Sequence, residues 1–443
     1  MSSACFSSLL SPSSVPPANT VPVLKRHFIG GALSLPTSQI MCVQYIFAVG
    51  AGPICGAIFD KTLFKRSVLS LAFMLTAWSY VALSVFETFW ELVFLFAIQS
   101  AVSGVYIPGL NALGLGLVGS KGFPKRATRN EIFRHGGVLT AGLMPLLLVP
   151  QHGFHAYFYL NAFLSFTGMA VVWLIDDNEI DHTSASGNTG RNAGSVAMPL
   201  AELFMTKQIV LLILATVLFH CGNAPMLPFL GEKIDELNHQ NDTYVEIPGI
   251  GPIDGTVGVS LCQLTAELLS IPVAFMAGKF ADRKGWGRRR IAMVGFSVVP
   301  IRGLLFAMAN EIETLMLIQT LDALGAAIAS VTAMVMMQDL SRGTGRFSVL
   351  QGTVAASLGL GSAIGQIIAG FVSDAHGFSA MFVVLSSISA MGLLCIAAMD
   401  ETKPALLGIS KFSQMLLRKG TGTYTALTPL TKSTFAYTAL TPV

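Results

Sequence analysis

The stretch GAIFDK at residues 56–61, followed by KR at 65–66, decides the fold of this chain. A similar stretch, GKFADR at residues 278–283, is followed by RRR at 288–290, about half the chain further on. Each copy comes at the end of a long apolar region and opens a short basic loop. A charged turn that repeats at the same place in two apolar halves predicts two similar helical bundles, with their basic loops on one side of a membrane.

The composition supports a membrane protein. Of the 443 residues, 53% are hydrophobic and only 12% are charged, whereas a soluble globular protein carries roughly 25% charged residues. This number of charged residues is too small to form the surface of a water-soluble protein of this size. Lipid must therefore be the solvent for much of the chain. The net charge of +3 is small and sits in loops, which excludes nucleic acid as a partner.

The sequence also argues against catalysis. The six cysteines are scattered, and the chain contains no Cys/His spacing of a metal site and no GxxxxGK[ST] phosphate loop. No nucleophile lies next to a base in a recognisable motif. We therefore predict that the protein is not an enzyme and needs neither a metal nor a cofactor.

Apolar stretches long enough to cross a bilayer begin near residue 38. In lipid, each must close its own backbone hydrogen bonds, so we interpret them as helices and predict an all-α membrane protein. About eleven spans are predicted, at 38–59, 67–86, 91–118, 131–150, 154–175, 207–231, 257–281, 291–309, 314–340, 347–372 and 377–399.

The spans divide the chain into five parts. The prediction is a Ser/Pro-rich N-terminal tail or targeting segment, an N-terminal bundle, a polar cytoplasmic linker, a C-terminal bundle and a low-complexity tail, at 1–37, 38–175, 176–206, 207–400 and 401–443. The N-terminal segment contains no acidic residue, so a disordered tail and an organellar transit peptide both remain open. The expected location is a plasma membrane or an organelle membrane, a plastid included.

Charge alternates between the loops. Basic residues follow the first, third, seventh and ninth spans, while the loop at 232–256 is acidic. Because positive residues stay on the cytoplasmic side, the basic loops are predicted to be cytoplasmic and the acidic loop external or lumenal. The protein is therefore predicted to be integral and multi-pass.

The repeated phrase resembles the loop signature of the major facilitator superfamily, Gly-x-x-x-Asp-Arg/Lys-x-Gly-Arg-Arg/Lys. The resemblance covers about residues 38–400 and implies a two-bundle fold in which the signature holds the halves together in one state and releases them in another. The residues that carry this gating motif are Gly56, Asp60, Lys61, Lys65, Arg66, Gly278, Asp282, Arg283, Arg288 and Arg289. The alternative is a topology signal without a gating role.

The chain departs from the family pattern in two ways. Leu63 replaces the loop glycine of the first copy, and Trp286 and Gly287 add two positions to the second. The family has twelve helices, so eleven predicted spans with these two loops as the second and eighth connections imply that the first helix is missing. That arrangement would place the N-terminal tail on the external side.

Charged residues inside predicted spans are costly, and they usually face a cavity or a partner. Four lie in the C-terminal half, each roughly 10–17 Å below the outer surface at about 1.5 Å per residue. They are His220, Glu267, Arg302 and Asp322. We expect a buried polar cluster in which Arg302 pairs with Asp322 or Glu267, either as a static ion pair, as a proton-exchanging site on one of the two acids, or as a solute contact.

Weaker candidates complete the solute and proton pathway. Gln99 and Asn161 are the polar residues predicted at mid-depth in the N-terminal half, which shows no charge at the depth of the C-terminal four. The stretch 220–228 contains one glycine and two prolines, which predicts a broken or kinked helix near the midplane.

The leading functional interpretation is a secondary transporter that works by alternating access and exports a small organic solute, with protons and the bilayer as further partners. Resemblance to efflux-type, drug–proton antiporter-like members favours export. Proton-linked nutrient uptake is the alternative, and a non-transporting membrane receptor or scaffold is the alternative from another class.

Overall fold

A computed structural model describes residues 35–86, 88–188, 197–241, 245–247, 251–282 and 287–402. These residues are almost entirely helical. The helices are α1 Leu35–Lys61, α2 Lys65–Leu83, α3 Phe89–Trp173, α4 His182–Ala185, α5 Leu200–Met205, α6 Lys207–Asn223, α7 Met226–Asn241, α8 Gly255–Asp282, α9 Arg288–Met308, α10 Ile312–Gln319, α11 Leu321–Ser341 and α12 Phe347–Ala397. A two-stranded antiparallel hairpin, β1 Glu246–Ile247 and β2 Gly251–Pro252, lies between α7 and α8.

The two longest helices are interrupted at glycines. Gly119 and Gly153 within α3, and Gly377 within α12, have φ values of 65°, 73° and 78°. This region of φ is open to glycine because it has no Cβ, so the chain changes direction there. We call the segments of α3 on either side of these breaks α3a (89–118), α3b (120–152) and α3c (154–173), and those of α12 are α12a (347–376) and α12b (378–397).

This division yields the predicted number of spans. Eight stretches of the described helix are long and apolar enough to cross a membrane. Two of them are cut by Gly119 and Gly377, and α1 adds one more. The described residues therefore form about eleven membrane-length helical segments, as the sequence predicts, and the fold is an all-α membrane fold.

Two predicted loops are helical instead. Residues 121–129 were expected in a basic loop, but they form the first turns of α3b. Residues 232–241 were expected in the acidic loop, but they continue α7. In α7, Lys233 is buried and donates from Nζ to the carbonyls of Phe306 and Ala309 at 3.0 and 2.6 Å, which satisfies the free C-terminal end of α9.

The sequence halves meet along two helix crossings. At the first, a Cβ built on Gly56 in α1 would collide with the backbone carbonyl of Ser348 in α12a. At the second, a Cβ on Gly278 in α8 would collide with the hydroxyl of Thr128 in α3b. Small residues let helix backbones approach this closely, so glycine is needed at both positions.

The polar segment between the halves is folded where it is described. The Asp181 carboxylate caps α4 by accepting the N–H groups of Thr183 and Ser184. Ser186 accepts a hydrogen bond from the N–H of Phe347 at 3.1 Å, and Asp181 donates its own N–H to Gly116 at 3.2 Å. This segment therefore touches both halves, and residues 189–196 of it lie outside the described residues.

Most predicted tail residues lie outside the described structure. Of the segment 1–37, only 35–37 are described, as the start of α1, and of 401–443 only 401 and 402 are described. The prediction of disordered or targeting tails stays a prediction.

Candidate functional site

Asp60 joins the two halves of the molecule. It lies in the last turn of α1, and its two carboxylate oxygens accept the N–H groups of Ser348 and Val349 at 2.9 and 3.0 Å. These amides belong to the first turn of α12a, where they have no carbonyl partner within the helix. The helix dipole also favours a negative charge at this end. We call this contact the Asp60 latch.

The basic residues of the first copy contact the N-terminal half itself. Lys65 is buried and donates from Nζ to the carbonyl of Thr62 at 2.6 Å. Arg66 donates to the carbonyl of Ile175 at 2.7 Å, and its guanidinium lies 4.6 Å from the ring centre of Trp173. Lys61 is exposed. These residues fix the loop that presents Asp60.

The second copy makes its contacts inside the C-terminal half. Arg288 forms an ion pair with Asp339 of α11 at 3.3 Å, and its N–H donates to Glu401 at 2.7 Å. Arg289 donates to the carbonyl of Met399 at 2.9 Å. Asp282 ends α8, but its side chain and Arg283 lie outside the described residues. Within the described residues of the two copies, the carboxylate contact across the halves comes from Asp60 of the first copy.

Arg302 is the centre of a buried polar cluster. Its side chain is 1% exposed, and one guanidinium nitrogen pairs with the carboxylate of Asp322. The other donates to Asn223 Oδ1 at 2.8 Å and to Met226 Sδ at 3.3 Å. Helices α6, α7, α9 and α11 therefore meet at one cation, and of the two predicted partners Arg302 takes Asp322.

The broken helix positions part of this cluster. Helix α6 ends at Asn223, Ala224 and Pro225 form a turn, and α7 begins at Met226. The interruption predicted for 220–228 is present as a short turn, and Ala224 keeps helical φ and ψ within it. The turn places Asn223 and Met226 against Arg302. His220, one turn earlier, lies close enough to Asp322 to interact with its charge. Three of the four predicted residues thus form one cluster.

Glu267 belongs to a different contact. One carboxylate oxygen lies 2.7 Å from His135 Nδ1 of α3b, and the other accepts from Gln263 Nε2 at 2.9 Å. His135 Nε2 lies 3.0 Å from a guanidinium nitrogen of Arg134, which is itself paired with Glu131 at 2.9 Å. The expectation that the N-terminal half has no charge at the depth of Glu267 is therefore wrong, because the guanidinium of Arg134 lies beside His135.

The reason for this error is the start of the span. We predicted a span at 131–150, which puts Arg134 and His135 at its basic end. The segment α3b begins at residue 120, so His135 lies near its middle, level with Glu267. The signal available in the sequence was Gly119, which breaks the helix, although nothing in the sequence alone distinguishes it from other glycines.

Gln99 and Asn161 stay within the N-terminal half. Gln99 hydrogen bonds to the hydroxyl of Tyr80, and the Asn161 amide donates to the carbonyl of Tyr157 in its own helix at 2.8 Å. The described contacts of both therefore differ from those of the Arg302 cluster.

Asn223, His135 and Gln319 were not selected from the sequence. The side chain of Gln319 is fully buried at the end of α10, and its amide has no hydrogen-bond partner among the described residues.

Comparison with known proteins agrees with this architecture. An uncharacterised MFS-type transporter of Mycobacterium tuberculosis is 31% identical over 366 residues, which cover 82% of this chain and 84% of that protein. The multidrug resistance protein MdtG of Dickeya zeae is 24% identical over 371 residues, covering 81% and 82% of the two chains.

Solved structures share the fold at low identity. The human organic anion transporter MFSD10 has a TM-score of 0.60 at 16% identity, covering 83% of this chain and 86% of that chain. The proton:xylose symporter XylE has a TM-score of 0.66 at 13% identity, covering 90% and 95%. The family described as the MFS_1 like family matches residues 33–384. This chain therefore belongs to the major facilitator superfamily, and it is an integral membrane transporter rather than an enzyme.

Proposed function

We propose that this transporter exports a small organic solute in exchange for protons. The observation that carries the proposal is the Arg302 cluster, which lies beside a broken helix. Buried charge inside a membrane span usually marks a solute or ion path, and discontinuous helices often line such a site. The name of the MdtG relative supports efflux.

We propose that Arg302, Asp322 and Asn223 contact the solute when the path opens. In the described state Arg302 is almost fully buried, while the side chain of Asp322 is 19% exposed. A solute that reaches this site meets Asp322 first and competes with it for Arg302. The unpaired amide of Gln319, three residues before Asp322, is the kind of buried polar group that a solute would satisfy.

We further propose that the Asp60 latch closes the inner gate. It depends on two charge-assisted hydrogen bonds between halves, and such contacts form and break without unfolding either helix. Asp60→Asn retains one carbonyl acceptor but loses the charge, so the gate should open more often. The N–H groups of Ser348 and Val349 should then exchange with deuterium faster, and unchanged exchange would argue against a latch.

Proton-linked uptake is the second candidate, supported by the neighbours XylE and FucP, which are described as proton symporters of xylose and fucose. The two directions can be separated in reconstituted vesicles. An antiporter accumulates solute when the vesicle interior is acidic, whereas a symporter does so when the exterior is acidic.

The probes for this experiment are ethidium as an amphipathic cation, fluorescein as an amphipathic anion, and labelled xylose and fucose. Asp322→Asn should reduce accumulation at least tenfold, and Glu313→Gln, at an exposed position of α10, should leave it unchanged. If no probe moved with either gradient and none protected the protein against thermal unfolding, exchange of these solutes for protons would be contradicted.

A further inference from the structure

The contact between His135 and Glu267 is another buried polar link across the halves, besides the Asp60 latch and the Asn111–Gln351 hydrogen bond at 2.9 Å. His135 comes from α3b and Glu267 from α8, and their side chains are 3% and 13% exposed. The seam between α3b and α8 is packed tightly on the side of the repeated basic segments, where Thr128 meets Gly278. The pair lies further along the same seam, towards the membrane centre.

The neighbours of His135 define where its proton lies. Arginine has donors and no acceptor, so the guanidinium of Arg134, at 3.0 Å, requires His135 Nε2 to be an acceptor. The ring proton of the neutral imidazole is then on Nδ1, which donates to Glu267 at 2.7 Å. Gln263 donates to the other oxygen. Each oxygen of Glu267 therefore faces a hydrogen-bond donor.

The two buried acids therefore differ in what holds their charge. Asp322 is paired with Arg302, a cation that does not lose its proton. The described partners of Glu267 are a neutral imidazole and an amide. This difference in partners, a fixed cation for one acid and neutral groups for the other, distinguishes Glu267 from Asp322 as the exchanging group.

We infer that Glu267 binds the transported proton and that His135 reports its presence to the other half. Protonation of Glu267 replaces an acceptor with a hydroxyl donor, so its contacts must rearrange. The Gln263 amide can turn its oxygen towards a new hydroxyl, whereas His135 Nδ1, held as a donor by Arg134, cannot accept one. A proton on the Glu267 oxygen that faces His135 therefore breaks that contact and weakens the closed seam. This inference rests on the proposed proton coupling, and His135 acts in it as a positioning residue.

The remaining charges around the pair are accounted for. On α3b, Arg134 is paired with Glu131. On α11, which also packs against α3b and α8, Asp322 is paired with Arg302 and Asp339 with Arg288. On α7, which also packs against α8, Asp235 accepts the N–H of Gly255 at the start of α8.

Deuterium exchange at Ser348 and Val349 in nanodiscs tests the inference without a known solute. Exchange is measured in an acidic and in an alkaline buffer and corrected for the intrinsic exchange rate. These amides of the wild type should exchange about tenfold faster in the acidic buffer, because the charge-assisted hydrogen bond from His135 to Glu267 is lost there. Glu267→Gln imitates the protonated acid and should exchange fast in both buffers.

Two variants of His135 provide the matched control. The Asn side chain in His135→Asn keeps a donor near the position of Nδ1 and should preserve the response to pH. His135→Leu removes the donor and should exchange fast in both buffers. A wild-type response that was undiminished in Glu267→Gln or in His135→Leu would overturn the inference, because Asp60, the acceptor of both N–H groups, would then be the group that responds to pH.

The result is separable from the proposed function. Wild-type vesicles that moved no probe, with exchange that still responded to pH through Glu267, would contradict transport alone. Vesicles that accumulated a probe under a proton gradient, with exchange indifferent to pH, would contradict this inference alone.

Discussion

Arg302 shows how one residue fixes the centre of the C-terminal half. Its guanidinium contacts side chains from three other helices, and its side chain is almost completely buried. A buried charge is tolerated only when it is paired and hydrogen-bonded. Breaking such a pair is strongly destabilising because it leaves the other charge buried alone.

We expect Arg302→Met and Asp322→Asn each to destabilise the protein, by about 3 kcal/mol or somewhat less given the partial exposure of Asp322. The double variant should be more stable than either single variant, because no unpaired charge remains. Apparent melting temperatures in detergent measure this order, with Glu313→Gln as the neutral control. A double variant that melted below both singles would contradict the ion-pair account.

Sequence alone predicted that Arg302 pairs with Asp322 or Glu267, but it did not predict the seam. Arg302 and Asp322 are charges at equal depth in apolar spans. Because an unpaired charge inside a membrane span is costly, the sequence itself indicates that they are paired. To identify His135 as the partner of Glu267, the sequence analysis needed the true start of α3b. Residues 121–129 are so basic that a hydropathy window does not assign them to a membrane span. Their helix is stabilised by packing such as Thr128 against Gly278, which no local pattern contains.

At the scale of elements, the crossing of α1 with α12a decides how closely the halves approach. A Cβ built on Gly56 would collide with the carbonyl oxygen of Ser348. A Cβ built on Gly52 would likewise lie 2.5 Å from the carbonyl oxygen of Gly352, which also belongs to α12a. Since backbone atoms cannot move aside as side chains do, even a methyl group must push the helices apart.

We therefore predict that Gly56→Ala separates α1 from α12a and stretches the Asp60 latch. Exchange at Ser348 and Val349 should accelerate at least tenfold, whereas Gly370→Ala should have no effect, because a Cβ there meets nothing within 4 Å. Equal exchange in the two alanine variants would show that the crossing is not tight.

At the scale of the whole molecule, the contacts of the two repeated segments predict that both lie at the same end of the helical bundles. Asp60 meets Ser348, Arg288 meets Asp339, and the segment around Ser186 meets Phe347. We expect single cysteines at the exposed positions Arg129 and Arg290 to be labelled by an impermeant maleimide from the same side of the membrane, and one at Glu313 from the other. Labelling of Arg129→Cys and Arg290→Cys from opposite sides would contradict the repeated-bundle topology.

The whole molecule also holds the start of α12a from two directions. Asp60 accepts the N–H groups of Ser348 and Val349 from the N-terminal half, while the linker carbonyl of Ser186 accepts that of Phe347. Gly187 follows with a φ of 87°, and a Cβ there would lie 3.1 Å from that of Phe347. Gly187→Val should therefore displace the linker and, with it, the start of α12a.

Because Asp60 and the linker hold the same turn, their effects should not be independent. In Gly187→Val that turn has already moved and the Asp60 hydrogen bonds are weakened, so Asp60→Asn removes less stabilisation. The double variant should therefore accelerate exchange at Val349 by less than the product of the two single effects. Arg289→Gln provides the control pair, because Arg289 bonds to Met399 and shares no described partner with Asp60. Its effect should multiply with that of Asp60→Asn. If both pairs multiplied alike, the linker would be a passive connection that does not hold the start of α12a.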